Sequence, residues 1–149
     1  MIFLAGARPG GGGLRVLSLI MGLFLIFMGL DKLDWLRGSG FLTARLQEWL
    51  EMAGPASRWY LETVAIPGAP MFARLVPIGE LASGTALICG FRVRVAAAVS
   101  LFMVLNFHFA ADILFHYSYL INAYGPPVIG GLLALIISGS RLPFSVGSR

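Results

Sequence analysis

The sequence predicts an all-α integral membrane protein, a four-transmembrane-helix bundle with an amphipathic interfacial helix between helices 1 and 2. Three observations predict it. Of 149 residues, 58% are hydrophobic and 12% charged, about half the charged share of an average soluble domain, and mean hydropathy is +0.84. Four stretches, about 14–31, 70–90, 95–115 and 120–138, approach the ~20 mostly apolar residues that a spanning helix needs. None shows the period-two alternation of a barrel strand.

The first element follows a leader. Residues 5–13 read AGARPGGGG, a low-complexity stretch that predicts a flexible segment over 1–13. Arg8 and Arg15 before an apolar run resemble a signal peptide. No small-x-small cleavage site follows, however, and the run is long enough to span, so a retained helix is expected. It ends abruptly in GLFLIFMGLDKLDWL, residues 22–36. Asp31, Lys32 and Asp34 there mark a membrane boundary, with Trp35 as a headgroup-level anchor.

The connection 33–69 is too long for a turn. Within FLTARLQEWLEMA, residues 41–53, Leu42, Leu46, Trp49, Leu50 and Ala53 share one helical face, while Arg45, Gln47, Glu48 and Glu51 fall mostly elsewhere. All three tryptophans, Trp35, Trp49 and Trp59, lie in this connection. The expectation is an outer lid lying flat over the bundle. The fourth helix contains Gly125-Pro126-Pro127, so it starts near Pro126 or has a broken first turn.

Charge sets the expected orientation. Arg8 and Arg15, Arg92 and Arg94, and Arg141 and Arg149 lie in three segments that hold no acid. The positive-inside rule then puts both termini in the cytoplasm of an inner-membrane, multi-pass protein. The bundle is expected over 14–142, with a tail over 143–149. Scattered arginines without interleaved aromatics exclude a nucleic-acid surface. One cysteine, Cys89, excludes an internal disulfide or dithiol couple.

Ionisable groups inside a span cost about 2.5–3.5 kcal/mol on insertion scales and normally face the bundle interior. Glu80 and Arg74 on the second helix meet this description. NFHFAADILFHY on the third places His108, Asp112 and His116 at i, i+4 and i+8, one stripe if the helix continues. Counting helical rise permits Glu80–His108 and Arg74–Asp112 pairs. Three readings of the stripe stay open: polar groups joining helices, a proton or quinone-headgroup site, and a metal or haem site. The last is poorly served by two histidines and no thiolate cluster. In the quinone reading Glu80, His108 and Asp112 handle protons, while Lys32, Arg74 and His108 hold the headgroup. No metal or covalent cofactor is expected.

LRVLSLIMGLFLIFMGLDKL, through Leu14-Arg15, Gly22 and Gly29 to Lys32-Leu33, resembles the first helix of the DoxX-like family. GELASGTALICGFRVRVAA is similar to its second helix and inner loop at Glu80, Gly84, Leu87, Gly90, Arg92 and Ala96. SGSRL at 138–142 resembles its closing tail, although Pro143-Phe144-Ser145 replaces the Ser-Leu-Asp that often follows. The long first connection is more like the DoxD branch, the thiosulfate:quinone oxidoreductase membrane subunit. The resemblance implies a four-helix, redox-linked membrane subunit with Lys32 and Glu80 at motif positions. Two function classes follow. One is a quinone-linked oxidoreductase subunit, with electrons from a sulfur donor. The other is a non-catalytic accessory subunit beside other integral membrane subunits of a respiratory or photosynthetic complex.

Overall fold

The computed structural model describes residues 11–138, 142, 143 and 146, and all regular elements among them are helical. Helix α1 (Gly11–Asp31) leads through a 3-10 turn (Leu33–Arg37) to α2 (Gly40–Met52). A short α3 (Pro55–Tyr60) runs into one π-helical turn (Leu61–Ala65) and then α4 (Ala69–Cys89). Helix α5 (Val93–Ala110), a second 3-10 turn (Tyr117–Ile121) and α6 (Pro126–Ser138) complete the order. Helices α1, α4 and α5 are long and apolar enough to cross a membrane. At 13 residues, α6 is about 20 Å long, short of a ~30 Å hydrocarbon core.

Helix α1 wears its amphipathicity inside out. Ser18, Gly22, Leu25 and Gly29 are buried along one stripe, and Val16, Ile20, Leu23, Phe27 and Leu30 are exposed along the opposite one. In water such a helix would be turned around. Here the large apolar face suits lipid, and the small face lets backbones approach. A Cβ on Gly22 would sit 2.8 Å from the Gly84 carbonyl oxygen, and one on Gly84 would sit 2.8 Å from that of Gly22. Glycine is required on both sides of this α1–α4 contact.

Two apolar clusters occupy opposite ends of the bundle. Leu25, Leu87, Val93, Ala97, Leu132 and Leu135 fill the end where α4 turns into α5. Leu42, Leu46, Leu61, Ala65, Ala69 and Ala73 join the α2–α3 connection to the start of α4. The predicted apolar face of the connection is thus the face that packs inward: Leu42, Leu46 and Ala53 are buried, Trp49 and Leu50 partly so.

Three expectations change. Gly11–Gly13 form the first turn of α1 rather than leader, with Gly11 packed near Pro143; residues 1–10 lie outside the described residues. The fourth stretch, expected over 120–138, takes the later of its two expected starts, Pro126, because the paired prolines fit only a first turn. The third helix ends at Ala110 instead of continuing to 115. Asp112 turns left-handed there, at φ 57°, so His108, Asp112 and His116 do not form one helical stripe. Most of the expected 143–149 tail lies outside the described residues, though Val146 N–H donates to the Cys89 carbonyl at 2.9 Å.

Candidate functional site

The site begins at the end of α1. A helical side chain leans toward its own N-terminus, so the Lys32 ammonium folds back one turn to donate to the Met28 carbonyl at 2.9 Å. Its other contacts are both oxygens of Glu80, each at 3.0 Å. Three N–H donors therefore meet three acceptors. Lys32 is 7% and Glu80 5% exposed. The rings of Trp35 and Phe107 lie 5.8 and 5.9 Å from the ammonium, within cation–π range.

The pair borders a cavity of about 340 Å³, within the range of small-molecule pockets. Helix α1 contributes Phe24 and Met28, α2 Arg45 and Trp49, α4 Glu80, and α5 Phe107 and His108. Asn122 and Tyr124 close it from the α5–α6 connection. Phe24 and Tyr124 stack with centroids 6.0 Å apart, and Trp49 meets Phe107 edge-on at 6.3 Å. The lining is apolar and aromatic around a few polar groups.

His108 is 8% exposed, and its Nδ1 lies 2.8 Å from the Tyr119 hydroxyl. Its Nε2 has no hydrogen-bond partner among the described residues. Among the described residues, no sealed side-chain nitrogen or oxygen lacks a partner. Nε2 therefore opens to free space, and His108 lines the cavity.

Lys32, Glu80 and His108 thus converge. The pairings expected from helical rise do not form. Glu80 bonds to Lys32 rather than His108, because a four-carbon chain from the next helix reaches deeper than its Cα level suggests. Arg74 is exposed and away from the cavity lining. Asp112 instead accepts from the Gly54 N–H at 2.8 Å and faces the Ser57 hydroxyl at 2.8 Å. His116 Nε2 stands 3.6 Å away. Asp112 pins the start of α3 from 58 residues away and does not line the cavity. The Gly54 N–H first, then the Ser57 hydroxyl, hold its carboxyl below the ordinary range. Among the described residues no three His, Cys, Asp or Glu side chains form a metal-binding group.

Sequence reasoning missed Tyr119, whose link to His108 spans the non-helical segment 111–116. It also missed Arg15, which donates to the carbonyls of Leu87 at 3.2 Å and Ile88 at 2.6 Å, closing the last turn of α4. Ser18 adds a bond to Leu87 O at 2.7 Å, and Arg94 does the same for Ile137 on α6.

Long apolar helices turned inside out, with an ion pair and a cavity between them, define a multi-pass helical membrane protein with a polar interior site. The family model that matches is described as DoxX and covers residues 13–116, more than half of the sequence. The chain belongs to the DoxX family. No curated protein and no solved structure gives a significant match.

Proposed function

We propose that this DoxX-family protein is the membrane subunit of a quinone-linked redox system, with the headgroup held in the cavity beside Lys32, Glu80 and His108. The observation that carries the reading is the buried Lys32–Glu80 pair on the wall of an apolar cavity that His108 also lines. A packing device has no need of a void. An entering carbonyl can replace one of the two Lys32–Glu80 bonds, because a bidentate carboxylate stays paired through its other oxygen. His108 supplies a second polar group, and Trp35, Trp49, Phe107 and Phe24 supply ring faces. Such a headgroup takes up two electrons and two protons; in the DoxD-branch reading two thiosulfates provide the electrons by joining into tetrathionate. Glu80 and His108 are the groups that hold and pass protons. Arg74 and Asp112 have no place in this site.

The same proposal has four crossings, α6 included, with α2 lying at the outer interface and both termini in the cytoplasm of the inner membrane. Every acid except Glu80 lies toward the α2 end, whereas Arg15, Arg92 and Arg94 lie at the other. Cys89, exposed at the arginine end, should label only from the cytoplasmic side. Ser39→Cys in a Cys89→Ser background should label from outside, and the reverse pattern overturns the orientation.

For the site itself, purified protein in lipid nanodiscs should bind a short-tailed quinone analogue. His108→Phe combined with the paired change Lys32→Met and Glu80→Leu should abolish that binding while the protein stays folded. Protein that carries no quinone, binds none, and copurifies stoichiometrically with a larger complex is the accessory subunit instead.

A further inference from the structure

Two nitrogens of one imidazole meet different surroundings at His108. Nδ1 is 2.8 Å from the Tyr119 hydroxyl, and Nε2 has no hydrogen-bond partner among the described residues, on a side chain that lines the cavity. In a neutral histidine only one nitrogen carries the proton, and the bond made by the other decides which. A phenol is a better donor than acceptor, since its oxygen lone pair is delocalised into the ring. An imidazole nitrogen without a proton is among the best neutral acceptors. Burial also raises the Tyr119 pKa above its ordinary 10.0, so the hydroxyl keeps its proton across physiological pH.

The surroundings hold the pair. The two rings meet edge-on with centroids 5.3 Å apart. Tyr119 sits in the 3-10 turn Tyr117–Ile121, and its ring lies over Gly125, where a Cβ would come within 3.0 Å of it. The Lys32 ammonium is committed to Met28 and Glu80, so it does not compete for either imidazole nitrogen.

We infer that Tyr119 is a positioning residue that fixes His108 in the Nε2–H tautomer, so that the cavity offers an uncharged N–H donor to a ligand carbonyl. This rests on the quinone reading for its use, but not for its geometry. The cavity then selects a neutral, flat ligand with an acceptor oxygen. Beside the buried Lys32–Glu80 pair, the buried donor it has to spare carries no charge.

The test is nitrogen-15 NMR of full-length protein in nanodiscs with labelled histidine, using His116→Gln to assign the two residues, above the histidine titration range. The expected native spectrum has the proton on Nε2 and a hydrogen-bonded, unprotonated Nδ1. Tyr119→Phe keeps the ring and should shift Nδ1 and mix the tautomers. Tyr117→Phe, a change at an 85% exposed neighbour, should leave the spectrum as it was. A native proton on Nδ1, or a spectrum indifferent to Tyr119→Phe, overturns the inference. In a parallel isotherm, Tyr119→Phe should weaken a quinone analogue by about 3- to 10-fold, one hydrogen bond's worth. Native Nε2–H with no quinone binding at all leaves the positioning role standing and removes the quinone proposal.

Discussion

The two ends of the bundle use cations in opposite ways. At the end where α4 turns into α5, Arg15 and Arg94 donate to the last carbonyls of neighbouring helices, and leucines and alanines fill the interior behind them. At the other end Lys32 is drawn inward to a carboxylate, and the space beside the pair is left open. One end finishes helices; the other keeps a charge pair next to a void. A buried pair is weak evidence for stability, since apolar residues of similar volume often do as well. The difference is that the arginines close helix ends, whereas the lysine forms a buried pair beside a cavity.

The largest test is Glu80→Leu, which strands a buried ammonium and should destabilise by about 3–5 kcal/mol, read by equilibrium unfolding in mixed micelles. Glu80→Gln should lose much less, because its amide oxygen still accepts from Lys32. Lys32→Met added to Glu80→Leu should recover most of the loss. If Glu80→Leu alone is as stable as the parent, the pair does not matter at that end and the contrast collapses.

Arg15→Met sharpens the contrast from the other side. Losing a charged donor from two helix-terminal carbonyls should cost about 1–2 kcal/mol in the same assay. Quinone-analogue affinity should not change. A matching loss of affinity would mean that the two ends are coupled.

The smallest effect concerns Asp112, the latch between α5 and α3. Its folded pKa lies below the ordinary 3.8, so its contribution is complete above that value and is lost as pH falls through the folded pKa. Protection of the Gly54 amide against hydrogen exchange, measured relative to the intrinsic rate at each pH, should hold from neutrality to about pH 4 and fall below. Asp112→Asn, which tolerates the left-handed backbone, should remove that acid-side change. A protection factor that is the same above and below the folded pKa in the parent shows that the latch does no work.

Much of this was legible in the sequence, for separable reasons. The apolar runs gave α1 and α4 nearly to their ends, and the face around Leu42, Leu46 and Ala53 gave α2, because burial periodicity is local. The stop at Ala110 was not legible: NFHFAADILFHY has no proline or glycine, and its helix is broken by what Asp112 gains from Gly54 and Ser57. The Lys32–Glu80 meeting was half legible. Both residues stood at positions matching the family's motifs, yet counting rise between Cα atoms paired Glu80 with His108. The lengths of lysine and arginine side chains defeat such counting, as Arg15 reaching Leu87 shows again. Tyr119 carried no local signal at all.

The spacing of the ion pair also imposes an order on membrane insertion. Lys32 leaves the ribosome 48 residues ahead of its carboxylate, so α1 enters the bilayer before Glu80 exists. Being at the helix end, Lys32 can wait with its ammonium turned up among the headgroups. Glu80, midway along α4, has no such refuge, because a glutamate is too short to reach water from there. The acid therefore enters a membrane in which its base is already waiting. The Gly22–Gly84 contact then brings the two helices close enough for Lys32 to turn inward. A chain with α1 and α4 exchanged in sequence order would insert its acid first, unpaired, at a cost of about 2.5–3.5 kcal/mol.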